Sequence, residues 1–242
     1  MKKSISFELY KLKKRKIIPV FALMTGIIII IAAFTSNING FIIKLSMSNF
    51  AYTVLSGVIY IALPLMSFMI CSDGIAGECE RNEIKLIMQA PSSRTDIFIG
   101  KSISVFLCEA VLLLEAFVLS IAAMLLSGHI SDVSIFRSIL AYTVSLIPAL
   151  TICVMSSALS VFFKSSSSAF VTMLGVYAGT AVLGWVLPQL SAVLFISPMA
   201  VYRSLLGTNI LSGNLVTGVA ALLSWTLLFA GVGMIKMDSR ES

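Results

Sequence analysis

The sequence predicts an all-α integral membrane protein with six transmembrane helices. Hydrophobic residues make up 58% and charged residues 12% of the 242 positions, whereas an ordinary soluble domain carries about 25% charged residues. The hydrophobic residues fall into six runs, each long enough to cross a bilayer core of about 30 Å as a helix. Lysine and arginine concentrate in alternate connections between these runs. Six spans with short connections fill the chain, so we expect a single transmembrane domain over residues 1–242.

The predicted spans are apolar runs bounded by polar or turn-forming residues. They cover residues 17–34, 51–71, 103–127, 139–163, 169–187 and 214–235. The first follows the basic segment "MKKSISFELYKLKKRK", which is also typical of a secretory signal. Its apolar run exceeds the roughly 7–15 residues of a signal core and no small-x-small cleavage site follows, so we expect it to stay as a span. Pro64 and Pro148 lie inside the second and fourth spans and should kink them, because proline donates no backbone hydrogen bond.

The basic residues predict that both termini and the connection between spans two and three are cytoplasmic. One side holds Lys2, Lys3, Lys11, Lys13, Lys14, Arg15, Lys16, Arg81, Lys85, Arg94, Lys101, Lys164, Lys236 and Arg240. The other side holds Lys44, Arg137 and Arg203. The formal charge of +6 therefore reflects topology, with added attraction to anionic membrane lipids. We expect no nucleic-acid binding, since the basic residues flank spans and form no groove with stacked aromatic residues.

The longest polar run, "ECERNEIKLIMQAPSSRTDIFIGK", connects spans two and three. Within it, apolar side chains at i, i+3 and i+4 predict a short amphipathic helix along the inner membrane surface. Those side chains are Ile84, Ile87 and Met88, and Pro91 ends the pattern. Ser93 or Thr95 is placed to cap a further helix that enters the membrane at Ile103.

Two carboxylates lie within the third span. An ionised carboxylate at the centre of a membrane helix costs about 2.5–3.5 kcal/mol, so each must face protein, water or a partner. Glu109 and Glu115 are six residues apart and therefore point to different sides of the helix. We expect Glu109 to reach the cytoplasmic interface. For Glu115 two interpretations stay open: contact with a transported substance or ion, and a structural hydrogen bond to a neighbouring helix.

Small residues and cysteines in the spans point to packing. Gly175 and Gly179 form a small-xxx-small pair in span five, which suits either close packing within the chain or a subunit interface. Gly231 and Gly233 suit the same role in span six. The four cysteines, at positions 71, 79, 108 and 153, match no zinc or redox spacing. The sequence therefore predicts neither a metal site nor a catalytic residue.

The polar run resembles the corresponding segment of the ABC-2 type exporter permeases. These proteins carry Glu-x-Glu-Arg-Gly-Thr, an apolar stretch, Pro-x-Ser-Arg, and then an aliphatic residue before Gly-Lys. The matching residues here are Glu78, Glu80, Arg81, Leu86, Ile87, Pro91, Ser93, Arg94, Ile97, Gly100 and Lys101. Asn82 and Glu83 stand where the family usually has Gly-Thr. The segments "FFKSSSSAF" and "ISPMAVYRSLLG" are also similar to the family's link before span five and its outer segment before the last span.

The resemblance implies the membrane-spanning subunit of an ATP-driven exporter. It implies a second permease subunit, either identical or homologous, and two cytoplasmic ATPase subunits that bind ATP and Mg²⁺. The short loop helix would be the coupling helix seated on the ATPase, and residues 7–16 would form an interfacial helix. The residues implied in coupling are Glu78, Glu80, Arg81, Ile84, Ile87, Met88, Pro91, Arg94 and Lys101. The chain contains no GxxxxGK[ST] motif, so we expect it to bind no nucleotide itself.

Two other classes remain as alternatives to an exporter located in a bacterial cell membrane. One is a membrane scaffold or immunity protein that transports nothing. The other is a phospholipid-head-group transferase, because Asp73-Gly74 resembles the start of that motif. The further aspartates that such an enzyme needs for metal binding do not follow in the next span. If the chain is an exporter, we expect its substrate to be an amphipathic or hydrophobic compound or a peptide; a lipid or a polysaccharide precursor stays open, because the polar groups in the spans are few and generic.

Overall fold

The computed structural model describes residues 10–11, 17–36, 50–81, 94–126, 135–187, 189, 194–206 and 213–239. Within these ranges the chain is helical, with no strand, and six helices are long and apolar enough to cross a membrane. The prediction of an all-α protein with six membrane-spanning helices is therefore confirmed for the part of the chain that the structure describes.

The six helices are named α1 to α6 in chain order. They are α1 (Ile17–Ser36), α2 (Phe50–Glu80), α3 (Arg94–Leu126), α4 (Ile135–Ser160), α5 (Ser166–Val186) and α6 (Gly213–Asp238), with a 3₁₀ helix (Ser197–Leu206) between the last two. Helix α2 continues past the predicted end at residue 71, and α3 begins before the predicted start at residue 103. A span predicted from hydropathy stops where charged residues begin. The helix itself can continue, provided that its backbone groups are hydrogen-bonded and its charged side chains have partners.

Two helices change geometry next to their prolines. Pro148 cannot donate to the carbonyl of Val144, and the first part of α4 ends at Val144 before the helix resumes at Leu146. In α2, the π-helical segment Val58–Ala62 ends two residues before Pro64. A second π-helical segment, Ser72–Ala76, interrupts α2 nearer its end. Helix α2 is thus a single span with two irregular turns.

Helices α2 and α4 form the interior of the bundle. In the most apolar 18-residue stretch of each helix, 61% of the residues of α2 and 56% of those of α4 are buried. In α5 and α6 the share is 11% each. Hydroxyl groups of α4 join it to α2: the Ser160 hydroxyl donates to the Cys71 carbonyl at 2.8 Å, and the Tyr142 hydroxyl donates to the Ala51 carbonyl at 3.3 Å. The outer helices expose large apolar side chains, as a lipid environment favours.

Successive helices run in alternating directions. The start of α3 therefore lies beside the end of α6, where a Cβ placed on Gly233 would come within 2.6 Å of the Phe98 ring. Residues 82–93 connect α2 to α3 at this same end, which we call the loop end. A side chain at position 233 would have to displace the Phe98 ring, so Gly233 packs closely against α3, whereas a Cβ on Gly231 would meet no described atom within 4 Å.

Candidate functional site

At the loop end, the last turn of α2 and the first turns of α3 meet around a buried carboxylate, Glu78. The ammonium of Lys101 donates a hydrogen bond to Glu78 Oε2 at 2.7 Å. The ammonium of Lys11, from the segment before α1, donates to Glu78 Oε1. Each carboxylate oxygen thus accepts a charge-assisted hydrogen bond from a different lysine. Three parts of the chain converge on this one side chain.

Lys101 joins α3 to two different turns of α2. Besides Glu78, its ammonium donates to the carbonyl oxygen of Gly74 at 2.9 Å, within the π-helical segment Ser72–Ala76. Lys101 is itself buried. Removing one partner of a buried ion pair costs about 3–5 kcal/mol where the remaining charge is left without a charged partner. The contacts of Lys101 with Glu78 and Gly74 join the start of α3 to the end of α2.

Glu80 connects the end of α2 to the start of α5. Its Oε2 accepts a hydrogen bond from the backbone N–H of Ser166, the first residue of α5, at 3.0 Å. The residue that precedes α5, Ser165, makes no side-chain capping bond. A carboxylate at this position satisfies a free backbone N–H and interacts favourably with the positive end of the helix dipole. Glu80 therefore caps α5 from another helix.

Asp73 and Arg81 form a more exposed ion pair along the last turns of α2. The guanidinium Nη1 of Arg81 lies 3.1 Å from Asp73 Oδ1. The pair crosses Gly77, where an added Cβ would lie 2.9 Å from Asp73 Oδ1 and 3.6 Å from both terminal nitrogens of Arg81. The absence of a side chain at position 77 gives the two charged groups room to meet.

Glu109 lies deeper in the bundle, about two helical turns beyond Lys101 on α3. It is fully buried, and the Ser67 hydroxyl of α2 donates a hydrogen bond to its Oε1. Among the described residues, its Oε2 has no hydrogen-bond partner. The expectation that Glu109 reaches the membrane interface is wrong, because α3 begins at Arg94 and places this residue well inside the helix bundle.

A family model described as "ABC-2 family transporter protein" matches residues 4–180. The chain belongs to this family. No curated protein matches the sequence significantly. The matched range contains α1 to α4, most of α5, and Glu78 with its partners Lys11 and Lys101, so the resemblance drawn from the polar run is confirmed. Proteins of this family are membrane transport components that are not themselves catalytic, and this ABC-2 protein is an integral membrane protein.

The structure describes only part of the predicted coupling segment of this ABC-2 protein. Glu78 and Glu80 belong to the last turn of α2, Arg81 follows it, and Lys101 is in α3. Arg94 is the first residue of α3, and its side chain lies outside the described part. The remaining predicted positions, Ile84, Ile87, Met88 and Pro91, also lie outside the described residues. The predicted interfacial helix over residues 7–16 is described only at Tyr10 and Lys11.

Glu115 occupies a different side of α3 from Glu109, as the six-residue spacing predicts. It is half-buried beside α1, where a Cβ placed on Gly26 would lie 3.4 Å from Glu115 Oε1. Glycine at position 26 therefore leaves space for this carboxylate between α1 and α3. Neither interpretation of Glu115 given above is decided by this contact.

Gly175 and Gly179 of α5 face outward in this ABC-2 protein. A Cβ on Gly175 or Gly179 would meet no described atom within 4 Å, and both residues are exposed. The close approach of another backbone that their spacing predicts is therefore not made among the described residues. Close packing occurs on α6 instead, where a Cβ on Gly218 would lie 2.6 Å from the Val201 side chain.

Sequence reasoning identified Glu78, Glu80 and Lys101 but not the contacts that they make. Their types and positions follow a motif, whereas the pairing of Glu78 with Lys101 joins residues 23 positions apart in the chain. The available signal was the occurrence of opposite charges at the end of one span and the start of the next. Ser166 carried no signal, because it takes part through its backbone N–H.

Proposed function

We propose that this protein is the permease subunit of an ATP-driven exporter in a bacterial cell membrane. It forms the transport route together with a second permease subunit, identical or homologous, and draws its energy from separate cytoplasmic ATPase subunits that bind ATP and Mg²⁺. The observation that carries this proposal is the placement of the motif residues Glu78, Glu80 and Lys101. At the loop end, Glu78 pairs with Lys101 and Glu80 accepts a hydrogen bond from the backbone N–H of Ser166, in a chain of the ABC-2 family.

The proposed orientation places the loop end in the cytoplasm. Lys11, Lys101, Lys164 and Lys236 belong to helix ends or connections on this side of the bundle. The positive-inside rule assigns the side richer in lysine and arginine to the cytoplasm. The same cations also favour contact with anionic lipid head groups.

The proposed docking element is the connection between α2 and α3. Its apolar stripe, Ile84, Ile87 and Met88, would seat in a groove of the ATPase, with charged residues at the rim. Gly175 and Gly179, which face outward on α5, offer a surface on which a second permease subunit could pack closely. Glu115, beside α1, is the proposed polar contact for an amphipathic or hydrophobic substrate.

The experiment that tests this function begins with gentle purification of the protein from its native membrane. We expect an ATPase subunit with a P-loop motif to co-purify, and the complex in liposomes to move a substrate only when ATP is hydrolysed. A variant of the partner that lacks the P-loop lysine should retain assembly and lose transport. Recovery of the permease without an ATPase under several mild conditions would refute the proposal and favour a scaffold or immunity protein.

A further inference from the structure

We propose that Glu78 and Lys101 are positioning residues that clamp together the two ends of the α2–α3 connection and transmit force without touching the ATPase. This inference rests on the proposed function, because it concerns how docking at residues 82–93 reaches the helices. The interaction between these two side chains is called the Glu78–Lys101 clamp below.

Burial separates the clamp from a docking surface. A residue that binds a soluble partner must be reachable from water, yet Glu78 is 0% and Lys101 6% exposed. By contrast, Glu80 and Arg81 are exposed at the same end of α2. The motif therefore contains two kinds of residue. The exposed ones remain candidates for partner contact, and the buried ones act on the helices.

The geometry of Lys101 restricts sliding between α2 and α3. One ammonium holds the Glu78 carboxylate at 2.7 Å and the Gly74 carbonyl at 2.9 Å, which lie about one helical turn apart on α2. A shift of α3 along α2 by one turn would break both bonds. With the two helix ends fixed to each other, displacement of the connection moves α2 and α3 together and is not absorbed where they enter it.

The segment before α1 is joined to the Glu78–Lys101 clamp through Lys11. Lys11 donates to the Glu78 oxygen that Lys101 does not use, and its side chain is 29% exposed. Glu80, two residues after Glu78, holds the backbone N–H of Ser166 at the start of α5. A load applied to the end of α2 is therefore shared with α3 through the clamp, with the amino-terminal segment through Lys11 and with α5 through Glu80.

The first test measures the connection in the permease alone, so it does not depend on an ATPase. Spin labels are attached at Cys79, near the end of α2, and at a cysteine that replaces Thr95, at the start of α3, in a protein whose other three cysteines are replaced by serine. The distance between the labels is measured in liposomes. We expect a narrow distance distribution, and a distribution about twice as wide in Lys101→Met. Lys101→Arg, which keeps the charge, should stay close to the parent. An unchanged distribution in Lys101→Met would overturn the proposal.

The second test uses the complex with its ATPase. Lys101→Met should keep the ATPase bound per permease and keep ATP hydrolysis within about twofold, while transport per ATP falls about tenfold, within the usual range of coupling between sites. Loss of ATPase binding with normal transport by the complexes that remain would show that Lys101 is a docking residue and overturn the proposal. If the wild-type protein recruits no ATPase, the proposed function fails, and the distance measurement still decides whether the clamp exists.

A charge exchange guards against simple misfolding. Glu78→Lys combined with Lys101→Glu restores an ion pair in the opposite sense, and Lys11→Gln removes the repulsion that position 78 would then face. We expect this triple variant to have a narrower distance distribution and a higher transport per ATP than Lys101→Met, but not to reach the parent in either, because a glutamate at position 101 cannot donate a hydrogen bond to the Gly74 carbonyl. Recovery of the protein level without recovery of the distance distribution would show that the pair only supports folding.

Discussion

Loss of the Glu78 charge should destabilise the protein more than loss of the Lys101 charge. In Glu78→Gln, the buried Lys101 loses its anion, and the amide oxygen that remains can accept a bond from one lysine without neutralising it. Breaking a buried ion pair in this way costs about 3–5 kcal/mol. In Lys101→Met, Glu78 keeps Lys11 as a charged partner, so we expect the lower cost of about 1–3 kcal/mol for a lost charge-assisted hydrogen bond.

The difference is measured as the melting temperature in detergent, with size-exclusion chromatography to quantify the folded protein that remains after heating. One kcal/mol corresponds to about 2–4 °C in the melting temperature of a chain of this size, so Glu78→Gln should melt about 6–20 °C below the wild type. Arg81→Met is the matched control. The Arg81–Asp73 pair has side chains 46% and 33% exposed, and an exposed pair contributes about 1 kcal/mol or less. Equal melting temperatures for Glu78→Gln and Arg81→Met, or a larger loss in Lys101→Met, would refute the reasoning.

Three further changes test the orientation, the loop and the membrane carboxylate. In a protein without native cysteines, a cysteine at Asn49 should react with an impermeant thiol reagent in intact cells and one at Ser92 should not; the reverse pattern would invert the proposed topology. Ile87→Asp should reach the membrane normally but lose the ATPase, because it places a charge in an apolar contact at a cost of a few kcal/mol, whereas Lys85→Ala should change binding by less than about 1 kcal/mol. If the ATPase still co-purifies with Ile87→Asp, the loop only connects the helices and does not bind the ATPase. Glu115→Gln should alter transport at normal assembly if the carboxylate faces the substrate; loss of assembled protein would instead assign it to the contact between α1 and α3.

The number and approximate positions of the helices follow from sequence because hydropathy is a local property. A run of apolar residues as long as the bilayer is thick must be helical, since only a helix pairs its own backbone groups in lipid. The ends are less predictable. Hydropathy treats Glu78 and Lys101 as separate charges that end a span, whereas in the fold the two charges lie together inside the bundle and both helices continue.

The sequence predicts which residues belong to the candidate site, but not which of them are buried or which contacts they make. The spacing of Glu78, Glu80 and Arg81 fits the family motif, but a motif does not distinguish a buried side chain from an exposed one. Burial depends on the neighbouring helices, and the capping of α5 by Glu80 involves a backbone group that sequence patterns do not encode. The predicted position of Glu109 was wrong for a related reason: the depth of this residue in the bundle depends on where α3 begins, and α3 begins at Arg94.

Each of the two irregular turns of α2 has a backbone carbonyl that accepts a hydrogen bond from another helix. Pro64 cannot donate to the carbonyl of Tyr60, and the Tyr177 hydroxyl of α5 donates to that carbonyl at 2.9 Å. In the second irregular turn, the Gly74 carbonyl accepts from Lys101 of α3. A π-helical turn can revert to α-helical geometry only if such contacts rearrange, because the reversion rotates and shortens or lengthens the rest of the helix. A movement of the loop end that changes the geometry of α2 must therefore change its contact with α3, made by Gly74, and its contact with α5, made by Tyr60. These two contacts lie in different parts of the same span.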